Sequence, residues 1–152
     1  MQGKNFIHCF TKILIDIMFF GGIIVTVTLP LIMKAIAPYS NYLGIKYPDT
    51  PRTIFLMISG VLALFLLWEL RKLFKSLNIG NPFMPANVGS LKKCAVCAFL
   101  ISAMYALKIL TAFTMASVII CIIFAILGLF SLTLKDLFRQ AVKFKEENDF
   151  TI

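Results

Sequence analysis

The chain has 152 residues, of which 60% are hydrophobic, 13% aromatic and only 14% charged. That length suits one domain, but a mean hydropathy of +0.92 leaves too little polar surface to wrap a water-soluble core, which excludes a soluble globular protein. The net charge of +8 is explained by topology and by attraction to anionic lipid, so it does not argue for direct nucleic-acid binding.

Four apolar runs stand out, at 13–33, 53–70, 94–110 and 113–134. About 20 helical residues cross the roughly 30 Å hydrocarbon core, and the first and fourth runs meet that length outright. The second and third are shorter, but flanking residues such as Trp68 and the lysines extend each helix into the headgroup layer. From Cys94 to Leu134 the apolar character hardly pauses. One straight helix of that length would measure about 60 Å, so the chain must fold back on itself, and we place the turn near Leu110 to Phe113. The reading is an all-α integral membrane bundle of four transmembrane helices in a single domain, residues 1–152.

Counting cations orients it. With the N-terminus inside, the inner side holds eleven Lys and Arg, and the outer side holds Lys34, Lys46, Arg52 and Lys108. Eleven against four places both termini in the cytoplasm. The Ala35-Ile36-Ala37 triplet after the first run resembles a signal-peptidase site. The run is longer than a usual signal core and Pro38 would follow the cut, so we read an uncleaved helix.

The outer loop, PYSNYLGIKYPDTPR, carries Tyr39, Tyr42 and Tyr47, which read as an interfacial aromatic belt ahead of a ligand surface. The second helix continues past Glu69 with Leu66, Leu70, Leu73, Phe74 and Leu77 as its stripe. Gly80 is a natural stop, Pro82 and Pro85 delay a new helix, and Asn87 is a candidate cap. Residues 71–93, with five cations and no acid, form a structured cytoplasmic hairpin pinned to the inner leaflet. The last helix also continues past the fourth run, with Leu134, Leu137, Phe138, Ala141 and Phe144 on one side, into a cytoplasmic tail, 135–152, that ends KEENDFTI, where Glu146, Glu147 and Asp149 gather.

The stretch LRKLFKSLNIGNPFMPANVGSLKK, with Gly80, Pro82, Phe83, Asn87 and Leu91, together with the terminal EENDFTI, resembles the bacterial domain of unknown function 2975 family. Members are small proteins of four predicted transmembrane helices, so the resemblance covers essentially the whole chain. It implies a bacterial cytoplasmic membrane protein and, as a partner, the small helix-turn-helix regulator often found beside the family. Where a small pair such as Ile-Gly is expected after the basic pair, this chain has Cys94 and Ala95. The family supplies no catalytic residues to carry over.

Asp16 sits inside the first run, where an acid is a functional candidate such as a proton or cation relay. Its place near the interface and its i, i+4 neighbour Lys12 favour a snorkelling pair instead. Lys108 lies about 21 Å above Cys94 by helical rise, too far to meet Asp16, and snorkels to the outer headgroups. Cys94 and Cys97, with His8 and Cys9 at the same leaflet, allow a metal or redox site on paper. Such spacing inside an apolar helix is unlike a zinc knuckle, and buried free Cys is common, so no metal and no cofactor is expected. Cys121 has no evident partner, and structural disulfides are not expected beside a reducing compartment.

Small residues four apart, Gly22 with Thr26, Ser59 with Ala63, Ser102 with Ala106 and Ala112 with Ala116, let helices approach closely, within the bundle or in a homo-oligomer. No Ser/His/Asp triad, phosphate loop or HExxH helix occurs, and with one His in total no enzyme is expected. The leading expectation is a regulatory or sensory membrane protein whose hairpin and tail, through Phe83, Met84, Asn87, Glu146, Glu147 and Asp149, engage a soluble partner. The alternative is a small transporter or channel subunit working as an oligomer, with Asp16 in the pathway.

Overall fold

The computed structural model describes residues 2–39, 50–78 and 83–149; side chains of 2–9, 50, 77, 78 and 149 are outside the description. Four α-helices fill those segments: α1, Gln2–Ile36; α2, Thr50–Asn78; α3, Pro85–Thr111; and α4, Met115–Asp149. A single 3-10 turn, Ala37–Tyr39, ends α1, and no strand occurs among the described residues. All four helices are long and apolar enough to cross a membrane.

The apolar runs therefore mark the greasy middles of longer helices. α1 and α4 each have 35 residues, about 50 Å of helix, well beyond the hydrocarbon thickness. Most of the hairpin expected at 71–93 is likewise helical, because α2 runs to Asn78 and α3 starts at Pro85. The proposed stop at Gly80 and the proline at Pro82 lie outside the described residues, as do Tyr42 and Tyr47 of the outer loop. Asn87 is not the cap: Met84 takes the extended N-cap conformation and Pro85 occupies the first turn, where its missing N–H costs nothing. The turn between α3 and α4 falls at residues 112–114, and Phe113 belongs to it instead of opening the last helix.

Successive helices run antiparallel, and each packs on its neighbours in the chain: α1 on α2, α2 on α3, α3 on α4. Among the described residues no direct backbone approach joins α1 to α3, α1 to α4 or α2 to α4, so the bundle is an open row. Leu66, Cys97 and Ala98 form a buried nucleus, with Leu70, Phe124 and Leu127 packed against it. α3 contributes the most buried positions, from Asn87 to Tyr105. Apolar side chains elsewhere, such as Ile17, Ile24, Ile122 and Ile126, are exposed, as lipid-facing residues must be.

Small residues set the spacing. A Cβ on Gly60 would lie 3.1 Å from Thr26 Oγ1, and one on Gly22 3.0 Å from Leu64 Cδ2, so the Gly22 and Thr26 pair is used between α1 and α2. Between α3 and α4, Gly128 lies under the Phe99 ring. There Ser102 Oγ donates to the Cys121 carbonyl at 2.9 Å, and the Cys121 thiol lies 3.5 Å from the Ser102 carbonyl. Cys121 thus has a partner that its position in the sequence did not reveal.

Candidate functional site

The end of the molecule where α1 begins, α2 passes into α3 and α4 finishes carries most of the cations, and there the polar groups converge. Glu69 lies on the α2 face shared by Leu66 and Leu73, three residues before it and four after, and that face packs on α3. Its residue is only 1% exposed. A lone carboxylate there would be untenable, and it is met by two donors, Ser90 Oγ at 2.8 Å and Lys72 Nζ at 3.1 Å, and by a second cation, Lys93 Nζ at 3.6 Å. Ser90 is buried beside it, whereas the lysine side chains are more than half exposed and bring only their tips to the acid.

Arg71, two residues on, faces α1. Its Nε lies 2.6 Å from Asp16 Oδ1, and its guanidinium sits 5.6 Å and 5.5 Å from the Phe19 and Phe20 ring centres. The Asp16 contact is a close ion pair without the alignment of a directed hydrogen bond. The expected partner Lys12 is therefore replaced by Arg71 on the neighbouring helix, because helix packing brings a guanidinium nearer than the i, i+4 lysine. Trp68 completes this side, 5.7 Å from Phe19 and beneath Lys72 Nζ at 5.6 Å.

The entry to α3 is fixed separately. Asn87 is buried, and its amide donates to Ser76 Oγ on α2 at 2.9 Å. Phe83 and Met84, 43% and 42% exposed, stand just before Pro85, with the Phe83 ring 5.7 Å from that of Phe138 on α4. Met84 and Asn87 line a cavity of about 370 Å³ with Lys72, Lys75, Ser76 and Ser90. Glu146 lines another of about 640 Å³ with Pro85, Asp136, Arg139 and Lys143. Four of the sequence-picked docking residues, Phe83, Met84, Asn87 and Glu146, therefore border the start of α3. Glu147 meets Lys143 at 3.7 Å on its own helix, and the Asp149 side chain lies outside the described residues.

At the far end, Lys108 is held in place by rings, its Nζ 5.4 Å from the centres of both Phe55 and Tyr105. It lines a cavity of about 580 Å³ with Arg52, Phe55 and Met104, remote from Asp16. Cys94 and Cys97 are buried free thiols, and Cys94 Sγ lies 3.9 Å from the Leu66 carbonyl. Among the described residues no three of His, Cys, Asp or Glu gather to hold a metal; the His8 and Cys9 side chains lie outside them.

The model of the family described as protein of unknown function, DUF2975, matches residues 33–152. No curated protein and no solved structure matches the chain.

Proposed function

The chain belongs to the DUF2975 family, and from that premise we propose that it is a non-enzymatic regulatory or sensory protein of the bacterial cytoplasmic membrane. Its basic end lies inside the cell and engages a small soluble helix-turn-helix regulator through the surface around Phe83 and Met84. One observation carries this reading: two half-exposed apolar side chains are held at a fixed helix start, between two cavities. A segment that only reversed the chain would not require the Asn87 to Ser76 bridge or the Phe83 to Phe138 ring contact. Mixed charges around the larger cavity, Asp136, Arg139, Lys143 and Glu146, supply a polar rim to an apolar centre, the pattern of a protein interface.

Transport by an oligomer draws on the acids within the helices. Asp16 and Glu69 each already face cations of the same chain, which favours a fixed structural use of both. The test is co-purification from membranes of tagged wild type, Phe83→Ala and a chain lacking 148–152, at matched membrane levels, with captured proteins identified by mass spectrometry. Truncating a central aromatic anchor costs about 1–2 kcal/mol, so Phe83→Ala should cut recovery of the helix-turn-helix protein about five- to thirtyfold. Equal recovery by all three chains, or no such protein among the captured set, overturns the reading.

A further inference from the structure

On the α1 side of α2 lies a cavity of about 370 Å³ lined by Lys12, Trp68, Arg71, Lys72 and Lys75. Every charged residue lining it is a cation. Two of them are compensated, Arg71 by Asp16 and Lys72 by Glu69. Among the described residues neither Lys12 nor Lys75 has a carboxylate within ion-pair distance, so four cations against two carboxylates leave two positive charges in excess. The Asp16 contact uses Nε, one of five donor positions on the guanidinium.

The walls below the charge are apolar and open. Trp68 is 47% exposed; Phe65 and Val61, three and seven residues before it on the same α2 face, are 45% and 58% exposed. Phe20, whose ring touches the Arg71 guanidinium, and Ile24 one turn deeper continue the track on α1. Cations beside an indole, with exposed apolar side chains continuing along both helices, match an amphiphile with a phosphate at its head. A soluble phosphate would use only the upper half.

We propose that this cavity binds the phosphate headgroup of an anionic phospholipid. Lys12 and Lys75 meet the phosphate, Arg71 and Lys72 border it, Trp68 sits at the level of the glycerol, and an acyl chain lies along Phe65 and Phe20. Lys72 and Lys75 also line the cavity beside Met84, whereas Lys12, Trp68 and Arg71 belong to the lipid site alone.

The experiment is native mass spectrometry of the full chain released from nanodiscs of equal phosphatidylglycerol and phosphatidylcholine. Wild type should retain phosphatidylglycerol preferentially. Each near-surface cation is worth about fivefold in lipid affinity, so Lys12→Gln with Lys75→Gln should weaken retention about twenty- to thirtyfold, while Lys12→Arg with Lys75→Arg keeps it. Lys143→Gln with Lys145→Gln removes the same charge from the same end and should leave retention within about twofold. Equal retention of the two lipids, or equal loss in the two Gln pairs, overturns the site. A further arm adds inorganic phosphate or glycerol phosphate: displacement of the lipid at millimolar levels would show a pocket for soluble phosphates and overturn the lipid assignment, whereas persistence of the lipid supports it.

Discussion

Glu69 is nearly sealed from solvent, so its donors differ in worth according to how deeply each is buried. The Ser90 hydroxyl is a buried donor to a carboxylate, and such a bond contributes about 1.5–3 kcal/mol. Lys93 reaches the acid from an exposed position at 3.6 Å, where solvent screening leaves under about 1 kcal/mol. Ser90→Ala should therefore destabilise the protein clearly more than Lys93→Ala. Unfolding followed through Trp68, the single tryptophan and the residue beside Glu69, reads this directly. Equal losses would mean that the acid is held by net charge and not by the hydroxyl. The sequence contains the sign of this site: Glu69 is the sole acid between Asp49 and Asp136, and its spacing from Leu66 and Leu73 puts it on the packed face. What it hides is the partners. Ser90 and Arg71 are matched to Glu69 and Asp16 by the register between helices, which no periodicity within one helix records.

Glycine positions decide how closely the elements approach. A Cβ at Gly21 would meet nothing within 4 Å, whereas one at Gly22 would meet Leu64 Cδ2, the far end of a flexible side chain. At Gly60 the obstacle is Thr26, with Oγ1 and Cγ2 at 3.1 and 3.2 Å. Thr26 is β-branched, and its hydroxyl is bonded to the Gly22 carbonyl at 2.7 Å, so it has little room to turn away. Alanine should be tolerated at Gly21, cost under about 1 kcal/mol at Gly22, and cost about 1–3 kcal/mol at Gly60, ranked by thermal midpoint in one detergent. Reversal of Gly21 and Gly60 in that order would refute the α1 and α2 packing. The small-residue spacing of Gly22 and Thr26 made this interface legible; Gly60 did not stand out because its partner lies on another helix. Hydropathy marked the apolar middles of the helices, and the stripes from Leu66 to Leu77 and from Leu134 to Phe144 carried α2 and α4 beyond them. Hydropathy reports where lipid contact stops, whereas α2 and α4 continue on amphipathic stripes whose backbone hydrogen bonds remain satisfied in water.

At the scale of the whole molecule, the two chain ends and the passage from α2 to α3 share one end, and the cations concentrate there. That end should face the cytoplasm. Reporter fusions after Lys145 should be active inside the cell, and insertions within 40–49 active outside; the opposite pattern would place the partner surface in the wrong compartment. Four spans were readable from hydropathy, but the open row was not, because composition says how much apolar surface exists and not which surfaces meet. That row has a consequence for how the protein is made. Among the described residues the close backbone approaches between helices join consecutive ones, so those contacts close over short sequence separations. The Gly60 to Thr26 contact and the Arg71 to Asp16 pair need only α1 and α2 to form. Assembly can keep step with the ribosome, one hairpin at a time, and Glu69 is the residue left waiting: its hydroxyl partner arrives only when Ser90 emerges and α3 docks.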